Sequence, residues 1–425
     1  MDVIIIGAGA AGLMAARILS AKGINVLVLE ARGRMGGRID TITNGFTFPV
    51  EAGAEFIHGN PETTLNLLKE AGLHYTKTEG EIYHIEKGEL RLQEDFVSNW
   101  DVVIERLNKL TTDITIADFL KQHLYESKYE DLRKSFTQYV QGYDAADINN
   151  TSSFAIRDEM QKEEDDQYRV DGGYIALINF LADKCQKKLC TINLLERVKQ
   201  INWQKNHVEV LTEKNRYTGE KVIVTVPVGI LKHEAESLGD IHFYPSLPMH
   251  SEALKHLGFG GVIKILLEFD EAFWFDKPLL KKKREPFFIF ADTSVPAWWT
   301  QYPDKTPLLT GWLSGPLAIK YKDLKEEDIL TMAIESLASI YNIDATALKS
   351  KLKYHTIKNW LTDTFSLGAY SYPTLLQNHS VNILKTPVEE TIYFAGEAIT
   401  TETTGTVDSA LVSGKEVAEK ILKIR

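Results

Sequence analysis

Cysteine is scarce in this chain. Its 425 residues include two, Cys185 and Cys190. That excludes a disulfide scaffold, a four-cysteine zinc site and a cysteine-ligated iron–sulfur cluster. No metal site is expected, and a reducing, cytoplasmic compartment is the default expectation. Long apolar runs are missing too. No segment reaches the ~18 continuous apolar residues that a membrane span needs. The first apolar run, VIIIGAGAAGLMAA, has no basic leader, carries Asp2 and is broken by Gly7, Gly9 and Gly12, so it does not read as a signal peptide. Positive charge is in deficit: 48 Lys and Arg stand against 59 Asp and Glu, a net charge of −11. Nucleic-acid binding needs a basic footprint, whereas an acidic surface suits small cations drawn by long-range steering. The basic run Lys281 to Arg284 reads as a solvated loop.

What is present is ordinary globular composition, with 44% hydrophobic and 25% charged residues. The length suggests two or three domains. Val3 to Ile6 is a β-branched run, Gly12 to Lys22 is helical and stopped by Gly23, and Asn25 to Leu29 is a second strand. This βαβ unit predicts a parallel sheet. Pro61 to Gly72 reads as a helix and Tyr75 to Leu92 as a hairpin turning at Lys87-Gly88. The stretch from Glu94 to Asp166 is polar, charge-mixed and helical. Further on, Gly172 to Lys187 is a helix. Ile192 to Ile201, His207 to Val210 and Lys221 to Val228 are strands. Gly261 to Phe269, Pro286 to Phe290 and Leu308 to Leu313 belong to a second sheet. Glu326 to Tyr341 is a helix and Lys353 to Trp360 a strand. The end of the chain is strand, loop and helix.

Gly7-Ala8-Gly9-Ala10-Ala11-Gly12 is GxGxxG, placed between the first strand and its helix, and Glu30 ends the next strand. Gly7 makes the tight turn, Gly9 lets backbone approach a pyrophosphate, and Gly12 lets the helix pack on the sheet. The helix N-terminus then faces the phosphates, and Glu30 can accept from a ribose. This pattern alone leaves FAD and NAD open. Arg32-Gly33-Arg34-Met35-Gly36-Gly37-Arg38 follows at once, offering amides and guanidiniums for a second phosphate grip. That suits a dinucleotide buried lengthwise and kept.

Taken with a late YFAGEA and a lysine inside an apolar strand, these residues resemble the flavin-containing amine oxidases. That family spans monoamine oxidases, polyamine oxidases and flavin-dependent histone lysine demethylases. The resemblance is strongest at Asp2 to Arg38, Val50 to Gly59, Val198 with Lys221 to Pro227, Gly261 to Phe269, Trp360 to Pro373 and Ile392 to Lys423. It implies an α/β plus α+β fold: a Rossmann-like FAD-binding domain (1–58, 170–240, 385–425), a mixed-sheet substrate domain (59–93, 241–384) and a helical insertion (94–169).

The resemblance also implies site residues. Ala10, Ala11, Ala31, Arg32, Gly36, Gly37, Arg38, Gly53, Ala54 and Glu55 would join the fingerprint glycines around FAD. So would Val198, Pro227, Trp360, Gly396, Glu397, Gly405, Thr406 and Val407. The last helix would aim its N-terminal amides at the flavin edge where charge grows on reduction; without the resemblance, Gly405 is a loop glycine. Lys264, in GVIKILLEF, would hold a water beside flavin N5; its residues alone read as a lysine on the solvent face of an edge strand. Trp360 and Tyr370, otherwise core aromatics, would lie at the flavin edge and on one wall of an aromatic cage. Ala369 stands where monoamine oxidases carry a flavin-linking cysteine, so FAD should be non-covalent. Thr406 stands in place of the second cage tyrosine, so the cage should be one-sided. His58 and Glu55, in a segment that otherwise reads as surface loop charges, would meet a distal ammonium group. Phe56 replaces a carboxylate-gripping arginine of amino-acid oxidases.

The expected function is oxidation of a primary or secondary amine, with a di- or polyamine favoured, by a monomer or homodimer using O₂ and needing no nucleic acid or membrane. A flavin-dependent L-amino-acid oxidase, a carotenoid- or porphyrin-type desaturase and a flavin-bound redox sensor are the alternatives.

Overall fold

The computed structural model describes residues 1–86, 89–93, 99–162, 166–232, 240–275, 285–400 and 404–424. A five-stranded, all-parallel sheet is ordered Cys190–Asn193, Val26–Leu29, Val3–Ile6, Lys221–Val224, Ile392–Phe394. Its central strands are apolar throughout because helices and a second sheet cover both faces. The chain's two ends and its middle therefore meet in one sheet. The helix Ala10–Ala21 crosses the last helix, Val407–Ile424, at Gly414, where an added Cβ would lie 2.2 Å from the Ala11 carbonyl oxygen.

The second face carries a four-stranded sheet, ordered Arg216–Gly219, His207–Thr212, Val198–Gln204, His242–Tyr244. The strand expected over Ile192 to Ile201 is thus two strands in two sheets. The chain crosses between them through Leu194 to Arg197, with Leu195 at φ +59°. Lys221 to Val228 is shorter than expected as well. The strand ends at Val224 and a helical turn begins at Val228, because Pro227 has no N–H to give a ladder.

A seven-stranded mixed sheet is ordered Leu352–Asn359, Val262–Phe269, Leu308–Ser314, Ala297–Trp299, Pro286–Ala291, Glu81–Glu86, Glu89–Gln93. The Pro286–Glu81 pairing is parallel and the rest antiparallel. The helix Glu326–Tyr341 packs against its apolar face. The predicted hairpin divides at Gly80, φ +116°. Tyr75–Lys77 joins Gln167–Val170 and Phe56–His58 in a separate three-stranded sheet, and only Glu81 onward forms the hairpin. Its turn at Lys87-Gly88, like the basic run Lys281 to Arg284, lies outside the described residues.

Among the described residues, the expected helical insertion contains four α-helices, Trp100–Asn108, Ile116–His123, Glu130–Gly142 and Ser153–Lys162, and a short 3-10 helix at Ser127–Tyr129. They close on a core of their own around Leu107, Phe119, Phe136 and Ile156. Among the described residues, no helix is long and apolar enough to cross a membrane.

The Gly414 crossing generates a test. Gly414→Leu should overpack the contact and destabilise the chain by about 1–3 kcal/mol. The readout is the urea midpoint, and an unchanged midpoint would mean that the two helices separate without cost.

Candidate active site

A cavity of about 1740 Å³ opens at the carboxyl ends of the parallel strands, where Gly7, Glu30, Val226 and Gly396 stand on its wall. That is the crevice where open α/β sheets bind ligands. Single-ligand pockets span roughly 300–1,000 Å³, so this volume has room for a dinucleotide and a substrate end to end. Every residue expected to hold the cofactor lines it except Gly12. Gly12 acts by packing: a Cβ there would lie 2.0 Å from the Gly7 carbonyl oxygen.

The cradle can be built from the backbone outward. Gly7 sits at φ +110°, and a Cβ on Gly9 would meet no atom closer than 3.8 Å, leaving its backbone open to a phosphate. Glu30 receives the N–H groups of Ala8 (2.8 Å) and Arg32 (2.9 Å), which fix its carboxylate at the rim. The three arginines part ways. Arg34 turns inward and donates to the carbonyls of Met35, Gly37 and Ile39, so it shapes the loop and does not line the cavity. Arg32 pairs with Asp363 (Nη1–Oδ2 3.1 Å), and Arg38 donates to Glu397 and to the Ala369 carbonyl, both at 2.7 Å. Glu397 also accepts from the N–H of Gly405 (3.0 Å) and from Ser371. It therefore ties together three loops that arrive from opposite ends of the chain. A Cβ on Gly396 would meet nothing within 4 Å. Two helix N-termini, at Ala10 and Val407, border the same space. Open glycine backbone, two helix dipoles and guanidiniums together fit a dinucleotide with two phosphates.

The far half of the cavity is aromatic. Trp360 is buried and donates its indole N–H to the Ala52 carbonyl at 2.9 Å. The Tyr370 hydroxyl donates to the Tyr143 carbonyl at 2.6 Å, and the Tyr143 hydroxyl meets His58 Nδ1 at 3.1 Å. Burial pushes the Tyr370 phenol well above its ordinary range, and the negative charges of Asp144 and Glu159 push it further. Both acids line the cavity. The accessible surface of His58 faces the cavity interior, and its depth in the protein pushes the imidazole down to about 4. Trp299, Phe288, Trp312 and Tyr143 also line the cavity. The aromatic enclosure is therefore wider than the one-sided cage expected from Thr406. The Thr406 hydroxyl accepts the Ser409 N–H at 3.0 Å, capping the last helix.

Lys264 is 1% exposed, on a strand with neighbours on both sides. Its ammonium donates to Glu55 Oε2 at 2.7 Å and to the Gly53 carbonyl at 3.1 Å. Glu55 also receives Arg169 Nε at 2.9 Å and the Trp299 indole N–H at 3.1 Å. Burial alone would raise the Glu55 carboxyl, but the charges of Lys264 and Arg169, with these hydrogen bonds, hold it down at about 2. Glu55 was expected to meet a substrate ammonium; its oxygens are instead occupied by Lys264, Arg169 and Trp299. Arg169, Trp299, Tyr143, Asp144 and Glu159 escaped the sequence reading, since none of them sits in a motif.

The chain as a whole matches the family model for flavin-containing amine oxidoreductases over residues 10–422. It belongs to that family. Polyamine oxidase 2 of Arabidopsis thaliana is 29% identical, over 98% of this chain and 87% of that protein. Lysine-specific histone demethylase 1 homolog 3 of the same plant is 27% identical over 99% of this chain, which spans 30% of that longer protein. Among solved structures, putrescine oxidase bound to putrescine superposes with a TM-score of 0.81 at 22% identity, covering 99% of each chain. Cyclohexylamine oxidase from Brevibacterium oxydans gives 0.81 at 20%, covering 100% of this chain and 99% of that one. The chain is an amine oxidoreductase, and the family implies a flavin cofactor.

Glu51, four residues before Glu55 and on the strand Val50–Glu51, carries a pH test. Burial raises its carboxyl from 4.5 to about 7, against the N–H of Tyr174, the charge of Lys264 and the Thr41 hydroxyl. The folded chain thus keeps a proton that the unfolded chain releases. The stability that Glu51 contributes should fall as pH climbs from 4.5 to about 7 and level off above, while His58, lowered to about 4, contributes in the opposite sense. Glu51→Gln should remove that slope and gain about 1–3 kcal/mol at alkaline pH. Urea midpoints across pH decide; an unchanged slope in the variant refutes the assignment.

Proposed function

We propose that this chain is an FAD-dependent oxidase of small primary or secondary amines, with a di- or polyamine favoured and FAD held non-covalently. The observation that carries the reading is the continuity of the cavity from a two-phosphate cradle to an aromatic enclosure bordered by Asp144 and Glu159. When bound, FAD supplies the acceptor for a hydride equivalent from the carbon next to nitrogen and the route for its electrons to O₂. Overall, R–CH₂–NH₂ + O₂ + H₂O gives R–CHO + NH₃ + H₂O₂.

The chain's own residues would do the positioning. Aromatic faces tolerate the arriving cation and hold the neutral amine. Asp144 and Glu159 would attract a second ammonium at a distance from the reacting carbon. Neither Cys185 nor Cys190 lines the cavity, and Ala369 does; this supports non-covalent attachment. Arg169 sits beside Phe56 but gives its donors to Glu55, Thr300 and Tyr302 and does not line the cavity. This argues against an α-amino acid, whose carboxylate would need a guanidinium in reach.

A peroxide assay over mono-, di- and polyamines, L-amino acids and a methyl-lysine peptide tests the reading, alongside anaerobic bleaching of the flavin. Diamines or polyamines should bleach it and yield peroxide. A flavin that no amine reduces would favour the redox sensor, and reduction by polyenes or porphyrinogens the desaturase. Lys264→Met should retain FAD yet slow turnover at least tenfold, on the order of a lost acid–base or charge contribution; wild-type turnover would sink its role.

The rate should rise with pH. His58 is neutral above about 4, Glu55 ionised above about 2, and Tyr370 stays protonated. These three keep one charge state from neutral to mildly alkaline pH, so the rise follows the substrate's own deprotonation. A flat profile from mildly acidic to alkaline pH contradicts the scheme.

A further inference from the structure

Buried Lys264 and Glu55 and half-buried Arg169 form a row of plus, minus and plus at the cavity wall. Lys264 and Glu55 line the cavity; Arg169 stands behind them. Each member is fixed independently. Lys264 comes from the strand Val262–Phe269, Glu55 from the segment leading into Phe56–His58, and Arg169 from Gln167–Val170, paired with that segment in register Phe56 to Arg169. Arg169 is over-determined: besides Glu55, it donates to the carbonyls of Thr300 (2.9 Å) and Tyr302 (3.3 Å) and lies over the Phe56 ring at 4.8 Å. Trp299 contributes to both ends. Its indole N–H donates to Glu55 and its ring lies 5.4 Å from the Lys264 ammonium.

A primary ammonium has three donors. Glu55 and Gly53 take two of those of Lys264, which leaves one for the cavity it lines. An amine buried this deeply loses its charge readily unless an anion holds it. Glu55 is that anion, and Arg169 keeps Glu55 aimed and ionised.

We propose that Glu55, held by Arg169, is a positioning residue that keeps Lys264 at the cavity wall as a fixed, oriented ammonium, with one N–H presented to the flavin or to a water beside it. This rests on the proposed function only in placing the flavin within reach of Lys264. A fixed cation there favours the negative charge that a flavin gains on reduction.

The other charged groups around Lys264 are accounted for. Glu268, on its own strand, receives the Thr47 N–H at 2.9 Å. Lys358, opposite it in register, pairs with Asp363 (3.1 Å) and Asp40 (3.4 Å). Glu51 lies close enough for Lys264 to lower its carboxyl and is held by Thr41 and Tyr174. His58 and Tyr370 face the same cavity, one neutral above about 4 and the other protonated.

The test is a spectral titration of bound FAD, with no amine added, in the full-length holoprotein. The wild type and Glu55→Asp should keep an invariant flavin spectrum from about pH 6 to about pH 9, because both retain a carboxylate paired with Lys264. Glu55→Gln should acquire a new pH-dependent shift in that window, and Glu55→Gln combined with Lys264→Met should lose it. The double variant should also melt above the single one, since the uncompensated ammonium is gone. A Glu55 that served packing alone would lower the melting temperature without creating a titration that depends on Lys264. A flat spectrum in Glu55→Gln, or a shift that survives in the double variant, overturns the proposal. If Glu55→Gln does not accumulate, recovery of folded holoprotein in the double variant supports the proposal and its failure overturns it. Because no substrate is present, the titration reads the same whether or not any amine reduces the flavin. Failure of the amine-oxidase reading is thus separable from failure of this one.

Discussion

A lysine amine inside a fully buried strand is the constraint around which this site is built. Lys264 interrupts a run in which all eight residues are buried, and it is only 1% exposed. A buried ammonium needs an anion and carbonyl acceptors in place before the core closes. That requirement brings the 53–55 segment against the large mixed sheet, and with it the loop that also accepts the Trp360 indole at Ala52. The substrate-side sheet and the dinucleotide-side loops are thereby locked in register. The cavity lies where they meet, so satisfying one buried charge also sets the distance between cradle and channel.

A second tie works on the cradle. Arg38, from the N-terminal region, and Glu397, near the C-terminus, meet at 2.7 Å. Both hold the 369–371 loop, through the Ala369 carbonyl and Ser371. Three stretches distant in sequence are gathered at one point. Single glycines keep the surrounding backbone open where a phosphate must approach, as at Gly9 and Gly396.

How much of this could be read from the amino-acid order depended on sequence distance. GxGxxG and Glu30 are legible because the whole device fits within thirty residues of β, turn and α, and each residue has a local mechanical duty. The last helix was legible for the same reason: Thr406 caps it and Val407 begins it. Lys264 was not legible from its own strand, since the pattern GVIKILLEF does not say whether a strand has one neighbour or two. Only the family resemblance pointed inward. Arg169 lies 114 residues from Glu55, and nothing near it in sequence marks it as an ion-pair partner. Tyr143 and Asp144 sit in an insertion whose pattern specifies helices and no more. Ile192 to Ile201 misled because periodicity does not register a change of sheet.

The acidity of the chain gains meaning at the same place. The net charge of −11 is a property of the whole surface and falls off over about a Debye length, ~8 Å at physiological salt. It can steer a cation to the protein but cannot select one. Selection needs charge beside the bound ligand, and Asp144 and Glu159 line the cavity, close enough to act on the Tyr370 phenol. Glu55, a buried acid nearby, is the wrong carboxylate for that purpose because its charge is already matched by Lys264 and Arg169. Two kinds of acid thus share one cavity. One is neutralised within the protein, to hold a lysine. The others, Asp144 and Glu159, line the cavity close enough to act on Tyr370, where the proposed second ammonium would arrive.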